Sequence, residues 1–380
     1  MKMKLLYGRR ILLVSLFLIF QNCDLKAELA KFRITTSPAT QTYPDISGNT
    51  VVWEDWRHSI SGPLEYRTPC IYGADISDPN NPLEFLVSKQ GIYEVSPQIS
   101  GRYVAFNATV FNCVSYYDKN NIYLRDLDAQ IKKITNEPCS PAHYTDGCGT
   151  DGKYIAWHAN RYIKCYDIET DSLFDIPSFR ITDNSFKAFV VPDVSNGNIV
   201  WTDYDNLSYN IHVFNVDNWQ KYIVSSSTVW TTSPKIDGDI IVFSTGGSIR
   251  AIDISNLNSP REFPISTGTS PAISGNIIVF SRNSDIYGYN LLTQEEFCVI
   301  CDSDVKTSPA IDGQTVVWTN NKNGQIDIYG TMLDGSIVPY CAASITGDLN
   351  NDCKVDLADL AILVSHWLQC NIEPQAACWE

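Results

Sequence analysis

The chain has 380 residues, of which 44% are apolar and 19% charged, and its formal net charge is −15. That apolar content supplies a sizeable core and excludes wholesale disorder, while the length suits two or three average domains or one large all-β body. The acidic balance, with no basic patch to offset it, excludes nucleic acid and anionic membrane as partners and leaves neutral polysaccharide, cations or basic proteins open.

The chain begins with an export signature. Lys2, Lys4, Arg9 and Arg10 precede an apolar run over 11–20, and a polar stretch ends at Ala27. These are the n-region, h-region and cleavage site of a signal peptide, 1–27, whose apolar run is too short to span a bilayer. Cys23 invites a lipoprotein reading, but positions 20–22 lack the small residues of a lipobox. No other segment reaches membrane-spanning length, so the mature protein is expected to be secreted or held at the cell surface. Cleavage leaves 23 basic against 42 acidic residues, a net charge of −19. Eleven of the 12 cysteines remain, and in an exported chain they favour disulfides over metal ligation.

A repeat governs 44–333. Pro44, Gly48 and Trp53 open a phrase that returns over 97–106, 192–201, 234–243, 271–280 and 309–318, with a weaker copy over 148–157 in which Cys148 replaces the proline. In all seven copies the first residue and the aromatic stand nine positions apart. The residue before the turn is always Ser or Asp (Ser47, Ser100, Asp151, Ser195, Asp237, Ser274 and Asp312), followed by Gly or, once, by Asn196. That is hairpin-turn chemistry between a short strand and a buried one. A second phrase follows each first one, as in Ile71-Tyr-Gly-Ala-Asp75 and Ile286-Tyr-Gly-Tyr-Asn290, and alternation of side-chain type marks it as a third strand. Runs such as Glu296-Phe-Cys-Val-Ile300 supply a fourth, outer strand. Four strands per unit and seven units predict an all-β, seven-bladed β-propeller. The segment 28–37, with its strand over 32–35, is expected to close the ring; 336–340 competes for that place. Extra residues between second and third strands should crowd one face of the disc.

The runs Ser-Pro-Ala-Ile-Ser-Gly-Asn-Ile-Ile-Val-Phe (270–280) and Asp-Ile-Tyr-Gly-Tyr-Asn (285–290) resemble TolB-like propeller repeats of exported and cell-surface proteins. The resemblance covers about three quarters of the chain. It implies the fold and leaves activity open, because propellers host unrelated functions.

Composition changes after Ser344, and the domains are expected to run 28–341 for the propeller and 342–380 for a small tail. Asp348, Asn350, Asp352, Asp356 and Asp359 stand at positions 1, 3, 5, 9 and 12 of a loop, and Lys354 at position 7 would offer its carbonyl. This is EF-hand spacing with a hard-oxygen set suited to Ca²⁺. An amphipathic helix is expected to follow, with Leu357, Leu360, Ala361, Val364, Trp367 and Leu368 on one face. The loop with its short acid at Asp359 and the following helix resemble a type I dockerin repeat. That resemblance implies calcium-dependent folding and, for a complete dockerin, docking to a cohesin partner. Two departures are that one repeat is present where dockerins carry two, and that Cys353 takes the place of the usual Gly; a Cys353 bond to Cys370 or Cys378 could replace the second repeat.

Chemistry-bearing residues are otherwise sparse. The in-register aromatics Trp53, Phe106, Trp157, Trp201, Phe243, Phe280 and Trp318 are expected to pack between blades, and the off-register Trp56, Trp219 and Trp230 are candidates for exposed sugar platforms. None of His58, His143, His158, His212 and His366 sits in a motif that names a reaction; His143 and His158 share the most irregular unit. Asp55 and Asp203 are expected to cap turns. Cys139–Cys148 is the preferred propeller disulfide, and Cys298 and Cys301 could pair only if the chain turns between them. The sequence therefore favours a secreted, monomeric, non-catalytic binding or scaffold propeller with a calcium-binding tail, attached to polysaccharide handling. A carbohydrate-active hydrolase or lyase on the same scaffold is the alternative.

Overall fold

In a computed structural model the protein is described at residues 29–59, 68–88, 93–109, 121–135, 147–159, 162–176, 191–205, 207–232 and 234–333, and at Leu363 and Val364. The signal segment 1–27, the loop over 348–359, His143, Cys139 and the competing strand 336–340 lie outside the described residues.

Seven four-stranded antiparallel sheets follow one another along the chain. The first blade comprises β2 (Gln41–Ser47), β3 (Thr50–Asp55), β4 (Cys70–Asp75) and β5 (Leu83–Ser88). The second holds β6 (Tyr93–Ser100), β7 (Tyr103–Thr109), β8 (Asn121–Asp126) and β9 (Ile131–Lys133), and the third β10 (Cys148–Thr150), β11 (Tyr154–Ala159), β12 (Tyr162–Asp167) and β13 (Ser172–Asp175). The fourth is β14 (Asp193–Ser195), β15 (Asn198–Asp205), β16 (Ser208–Asn215) and β17 (Gln220–Ser227); the fifth is β18 (Lys235–Asp237), β19 (Ile240–Thr245), β20 (Ser248–Asp253) and β21 (Arg261–Thr267). The sixth is β22 (Thr269–Ser274), β23 (Ile277–Arg282), β24 (Asp285–Asn290) and β25 (Glu295–Ile300). The seventh takes β26 (Val305–Asp312), β27 (Thr315–Lys322) and β28 (Gln325–Met332), and its outer strand is β1 (Lys31–Arg33), from the other end of the chain.

Ring closure is thus made by the N-terminal strand. Phe32 lies opposite Gly330, and the Ile34 amide donates to the Ile328 carbonyl at 2.9 Å. A Cβ on Gly330 would meet Phe32 Cζ at 2.9 Å, and one on Gly73 would meet Phe85 Cζ at the same distance. Phe32 therefore takes the seat over a central-strand glycine that the fourth-strand phenylalanine fills in the first blade.

The core is seven wedges. Each buried cluster joins two adjacent blades, so that Trp201, for example, packs with Tyr154, Ile163 and Cys165 of the third blade and Trp53 with Ile34, Val317 and Ile328 of the seventh. The in-register aromatics all face the preceding blade and are at most 1% exposed. Second strands are buried on both sides, which is why they read as unbroken apolar runs.

In six blades the turn phrase ends the inner strand with a two-residue loop, and in the third blade three residues, 151–153, separate β10 from β11. Gly48, Gly101, Gly238, Gly275 and Gly313 all have φ near +55° at the first loop position, where a side chain would be strained; Asn196 and Gly197 share the positive φ in the fourth blade. The long connections leave from the opposite face, between second and third strands and between blades. Among the described residues no helix is long and apolar enough to cross a membrane.

Two cysteine expectations resolve differently. Cys298 and Cys301 form a disulfide with Cα atoms 6.2 Å apart. The ladder pairs Tyr287 with Cys298 and Ile286 with Ile300, and this bulge at Val299 brings the two sulfurs to one side where a regular strand would not. The Cys139–Cys148 pairing is corrected. Cys148 is a free thiol, fully buried against Ala105, Ile122 and Trp157, and burial pushes its pKa up to about 12. It sits in the seat of the repeat's proline on an inner strand, where the neighbouring side chains are aliphatic and aromatic.

Candidate functional site: the axial channel and its aromatic mouth

The seven inner strands enclose an axial cavity of about 880 Å³. Successive inner strands are stitched together at three heights, each time by a side chain reaching into the next blade. At the turn face, Ser47 Oγ accepts the Gly101 amide at 3.0 Å, Ser195 Oγ that of Gly238 at 3.0 Å, Ser274 Oγ that of Gly313 at 3.0 Å and Asp237 Oδ2 that of Gly275 at 2.6 Å. Asp151 holds Gly197 at 3.4 Å and Asp312 holds Gly48 at 2.5 Å. The third blade differs, for the Gly152 amide turns back to its own Thr150 Oγ1. The Ser/Asp of the repeat is therefore a clamp between blades as well as a turn residue.

At mid-height Asp45 Oδ2 accepts the Ile99 amide at 2.8 Å and Asp193 Oδ2 the Ile236 amide at 2.9 Å. Lys235, on the fifth blade, crosses the axis to Gln98 Oε1 on the second at 2.7 Å and stands 3.5 Å from Asp193. Burial works against its ammonium, but Asp193 and Asp45 outweigh it and hold its pKa above the usual lysine value. Burial pushes Asp45 up to about 6, although Lys235 and the backbone amides oppose the shift.

The third height lies toward the long-connection face. The residue after each in-register aromatic points toward the following blade, since side chains alternate along a strand. All seven are buried polar groups: Glu54, Asn107, His158, Thr202, Ser244, Ser281 and Thr319. Glu54 Oε1 accepts the Ser96 amide at 2.9 Å, Thr319 Oγ1 that of Tyr43 at 3.2 Å, and Thr202 Oγ1 donates to the Thr232 carbonyl at 2.8 Å. Tyr43, Ser96, Ser270 and Ser308 each precede the repeat's proline with φ of 52–54°, at a bulge in the inner strand. Burial pushes Glu54 up to about 7 against the pull of the Ser96 amide and Thr42.

The mouth of the channel on this face is aromatic between the fourth and fifth blades. Trp230 is half exposed and meets Tyr209 edge-on at 5.7 Å, and Tyr209 lies 4.7 Å from Tyr204. Thr202, Asp203, Thr231 and Thr232 line the wall beneath them, and Tyr43 lines it from the first blade. His212, stacked on Trp201 at 5.3 Å, reaches within 3.8 Å of Asp203.

Of the residues singled out in the sequence, the Ser/Asp turn residues, Cys148, Asp203 and Trp230 come to the channel wall. Trp219, also half exposed, packs on Phe174 at 5.1 Å and Phe214 at 5.2 Å, away from the mouth. His58 pairs with the Tyr72 hydroxyl at 2.9 Å, and His158 is buried in the third blade. Asp55 does cap a turn, accepting the Arg57 amide at 2.8 Å, but it also accepts the Trp53 indole N–H at 2.9 Å and pairs with the Arg57 guanidinium. The channel residues Asp45, Gln98, Asp193 and Lys235 were not singled out. Their signal was the slot after the repeat's proline, which is polar in these four units and Ala at 272 and 310. Among the described residues no three His, Cys, Asp or Glu side chains converge as a metal-ligating group.

No protein-family model matches the chain, nor does any curated protein sequence. Solved structures do. The chain is similar to a Mycobacterium tuberculosis puromycin-hydrolysing peptidase, at 11% identity and a TM-score of 0.54 over 80% of this chain and 55% of that one. It spans only about half of that peptidase's length. An oligogalacturonate lyase in complex with manganese matches at 11% identity and a TM-score of 0.53 over 82% of this chain and 99% of that one. The β-propeller domain of the Trilobed protease from Pyrococcus furiosus matches at 11% identity and 0.53, over 78% and 96%. That domain has an open velcro topology, whereas here β1 pairs with β28. At such identities the likeness extends to the fold, a seven-bladed propeller with four-stranded blades.

Proposed function

We propose that the protein is an exported, monomeric, non-catalytic propeller that binds polysaccharide at the aromatic mouth of its channel. The observation that carries the reading is the half-exposed Trp230, set edge-on to Tyr209 beside Tyr204 above a wall of hydroxyl and carboxylate groups. Aromatic faces offer apolar area to the C–H faces of sugars at low entropic cost, and the Thr and Asp side chains beside them can exchange hydrogen bonds with sugar hydroxyls. In the same reading the tail binds one Ca²⁺ through Asp348, Asn350, Asp352, Asp356, Asp359 and the Lys354 carbonyl, and a cohesin-like protein is a further partner. Support for the ion is the donor spacing and its hard-oxygen chemistry. The test is a glycan array with the full chain. Binding to a defined polysaccharide class that is lost in Trp230→Ala supports the reading, and no binding to any glycan refutes it.

A catalytic reading is favoured by one observation, the buried His212 3.8 Å from Asp203, which lines the same mouth. A carboxylate beside an imidazole orients it for proton transfer. Release of reducing ends from any array hit, abolished in His212→Ala, would establish a polysaccharide hydrolase or lyase.

A further inference from the structure

Lys306 is the one lysine in the molecule's described part whose side chain is wholly excluded from solvent. A lysine is almost never fully buried unless its charge is met. Five oxygens meet this one. Its ammonium lies 2.6 Å from the Asp304 carbonyl, 3.0 Å from that of Asp302 and 3.3 Å from that of Ser284, with Asp302 Oδ1 at 2.8 Å and Asp285 Oδ1 at 3.0 Å. The oxygens come from three pieces of chain. The Asn283–Ser284 turn has positive φ at both residues, Asp285 begins β24, and Asp302 and Asp304 belong to the connection into β26.

An ammonium has three protons to donate. Five oxygens within 3.3 Å exceed that number, and three of them are backbone carbonyls, which cannot adapt by protonation. Such a mix of carbonyls and carboxylates around one centre is how proteins hold hard divalent cations, with six to eight oxygens at about 2.3–2.6 Å. The charge points the same way. Lys31 of the closing strand pairs with Asp302 and with Asp304, so the junction holds three carboxylates, Asp285, Asp302 and Asp304, against two ammonium groups. A divalent ion in place of Lys306 would balance it.

We infer that the junction of the sixth and seventh blades is a divalent-cation site whose cation is supplied by the chain itself, the ammonium of Lys306, and that Ca²⁺ is the ligand that takes its place when the side chain is removed. To reach about 2.3–2.6 Å the Asp304 carbonyl, at 2.6 Å, hardly moves, while the Ser284 carbonyl, at 3.3 Å, must draw in by up to about 1 Å, and water completes the shell. A consequence for the native protein is that blade closure beside β1 proceeds without metal.

The test uses the full-length chain freed of metal with chelator: wild type, Lys306→Ala, which vacates the cage, and Lys306→Met, which fills it with an apolar chain. Calorimetric titration with CaCl₂ gives the number of ions bound, and thermal unfolding is followed with and without Ca²⁺. Reading stoichiometry against wild type removes any contribution from the tail. The expected result is one Ca²⁺ more in Lys306→Ala than in wild type, with an unfolding midpoint several degrees below wild type that Ca²⁺ restores. Lys306→Met should be destabilised and take up no additional ion. If Lys306→Ala folds only when Ca²⁺ is present, the inference also stands. It is overturned if Lys306→Ala binds no more Ca²⁺ than wild type, if it stays unfolded with and without Ca²⁺, or if Lys306→Met gains the same ion.

Discussion

Asp312, in the last blade, accepts the backbone amide of Gly48, in the first, at 2.5 Å. The bond belongs to a belt around the turn face, and here it joins the two ends of the repeat array. Each such bond replaces water at an exposed amide, so its net worth is modest. Asp312→Ala is expected to lower stability by about 1 kcal/mol, and Asp312→Ser by less, because Ser makes the same bond in three other blades. Urea unfolding of both variants checks this; equal midpoints for wild type and Asp312→Ala would show that the belt carries no net stability.

Glu54 makes stability fall as pH rises. Its pKa is about 7 in the fold against 4.5 when exposed, so between those values the folded state holds a proton that the unfolded chain has released. Stability is therefore greater at the acid end of the window and is lost as pH climbs through about 7. Asp45 adds the same sign between 3.8 and about 6. Glu54→Gln keeps an acceptor for the Ser96 amide and removes the charge. It should raise the unfolding midpoint at pH 8 and leave it unchanged at pH 4.5. A gain that is the same at both pH values would mean the carboxyl is not the titrating group.

Trp230 and Trp219 are equally exposed and should behave differently. Trp230→Ala is expected to weaken glycan binding roughly tenfold, the equivalent of about 1.4 kcal/mol, with little change in stability. Trp219→Ala removes ring contacts to Phe174 and Phe214 across the third and fourth blades, so it should cost about 1–2 kcal/mol of stability and leave affinity alone. Affinity electrophoresis on the array hit, paired with thermal unfolding, separates the two.

For the tail, Asp348→Ala should abolish its Ca²⁺ uptake, since the first position anchors the loop. Calorimetry on the full chain reads the loss as one ion fewer, with the propeller's unfolding midpoint unmoved. An unchanged stoichiometry would remove the calcium assignment.

The fold was legible because two phrases recur in step, and the repeat length fixes four strands per blade. The N-terminal closure was legible too, as the strand expected over 32–35, which the structure forms as β1, Lys31–Arg33. What lay beyond the sequence was partnership across blades. Ser47 reads as a turn residue, and nothing local says that its hydroxyl serves Gly101, 54 positions on. Glu54 follows Trp53 and carries no motif of its own, and alternation along the strand turns it into the next blade's inner strand. Lys235 occupies the same slot as Gln98, and only the closed ring brings slots three blades apart face to face. The Cys298–Cys301 bond hinged on a bulge that strand periodicity does not announce.

Phe32 and Gly330 face each other across about 300 residues of intervening chain. During synthesis the closing strand emerges about 300 residues before its partner, so the ring cannot shut until all seven blades have left the ribosome. Bringing such distant ends together costs on the order of 5 kcal/mol of chain entropy in an otherwise unstructured polymer, but blades that have already stacked pre-position the gap and remove most of that cost. Until then β28 presents an open edge to any other strand nearby. A second copy of the same polypeptide offers the best-matched strand, and an exchanged β1 would link two rings tail to head without a single new side-chain contact. Crowded expression should therefore yield strand-exchanged dimers that dilution alone does not separate.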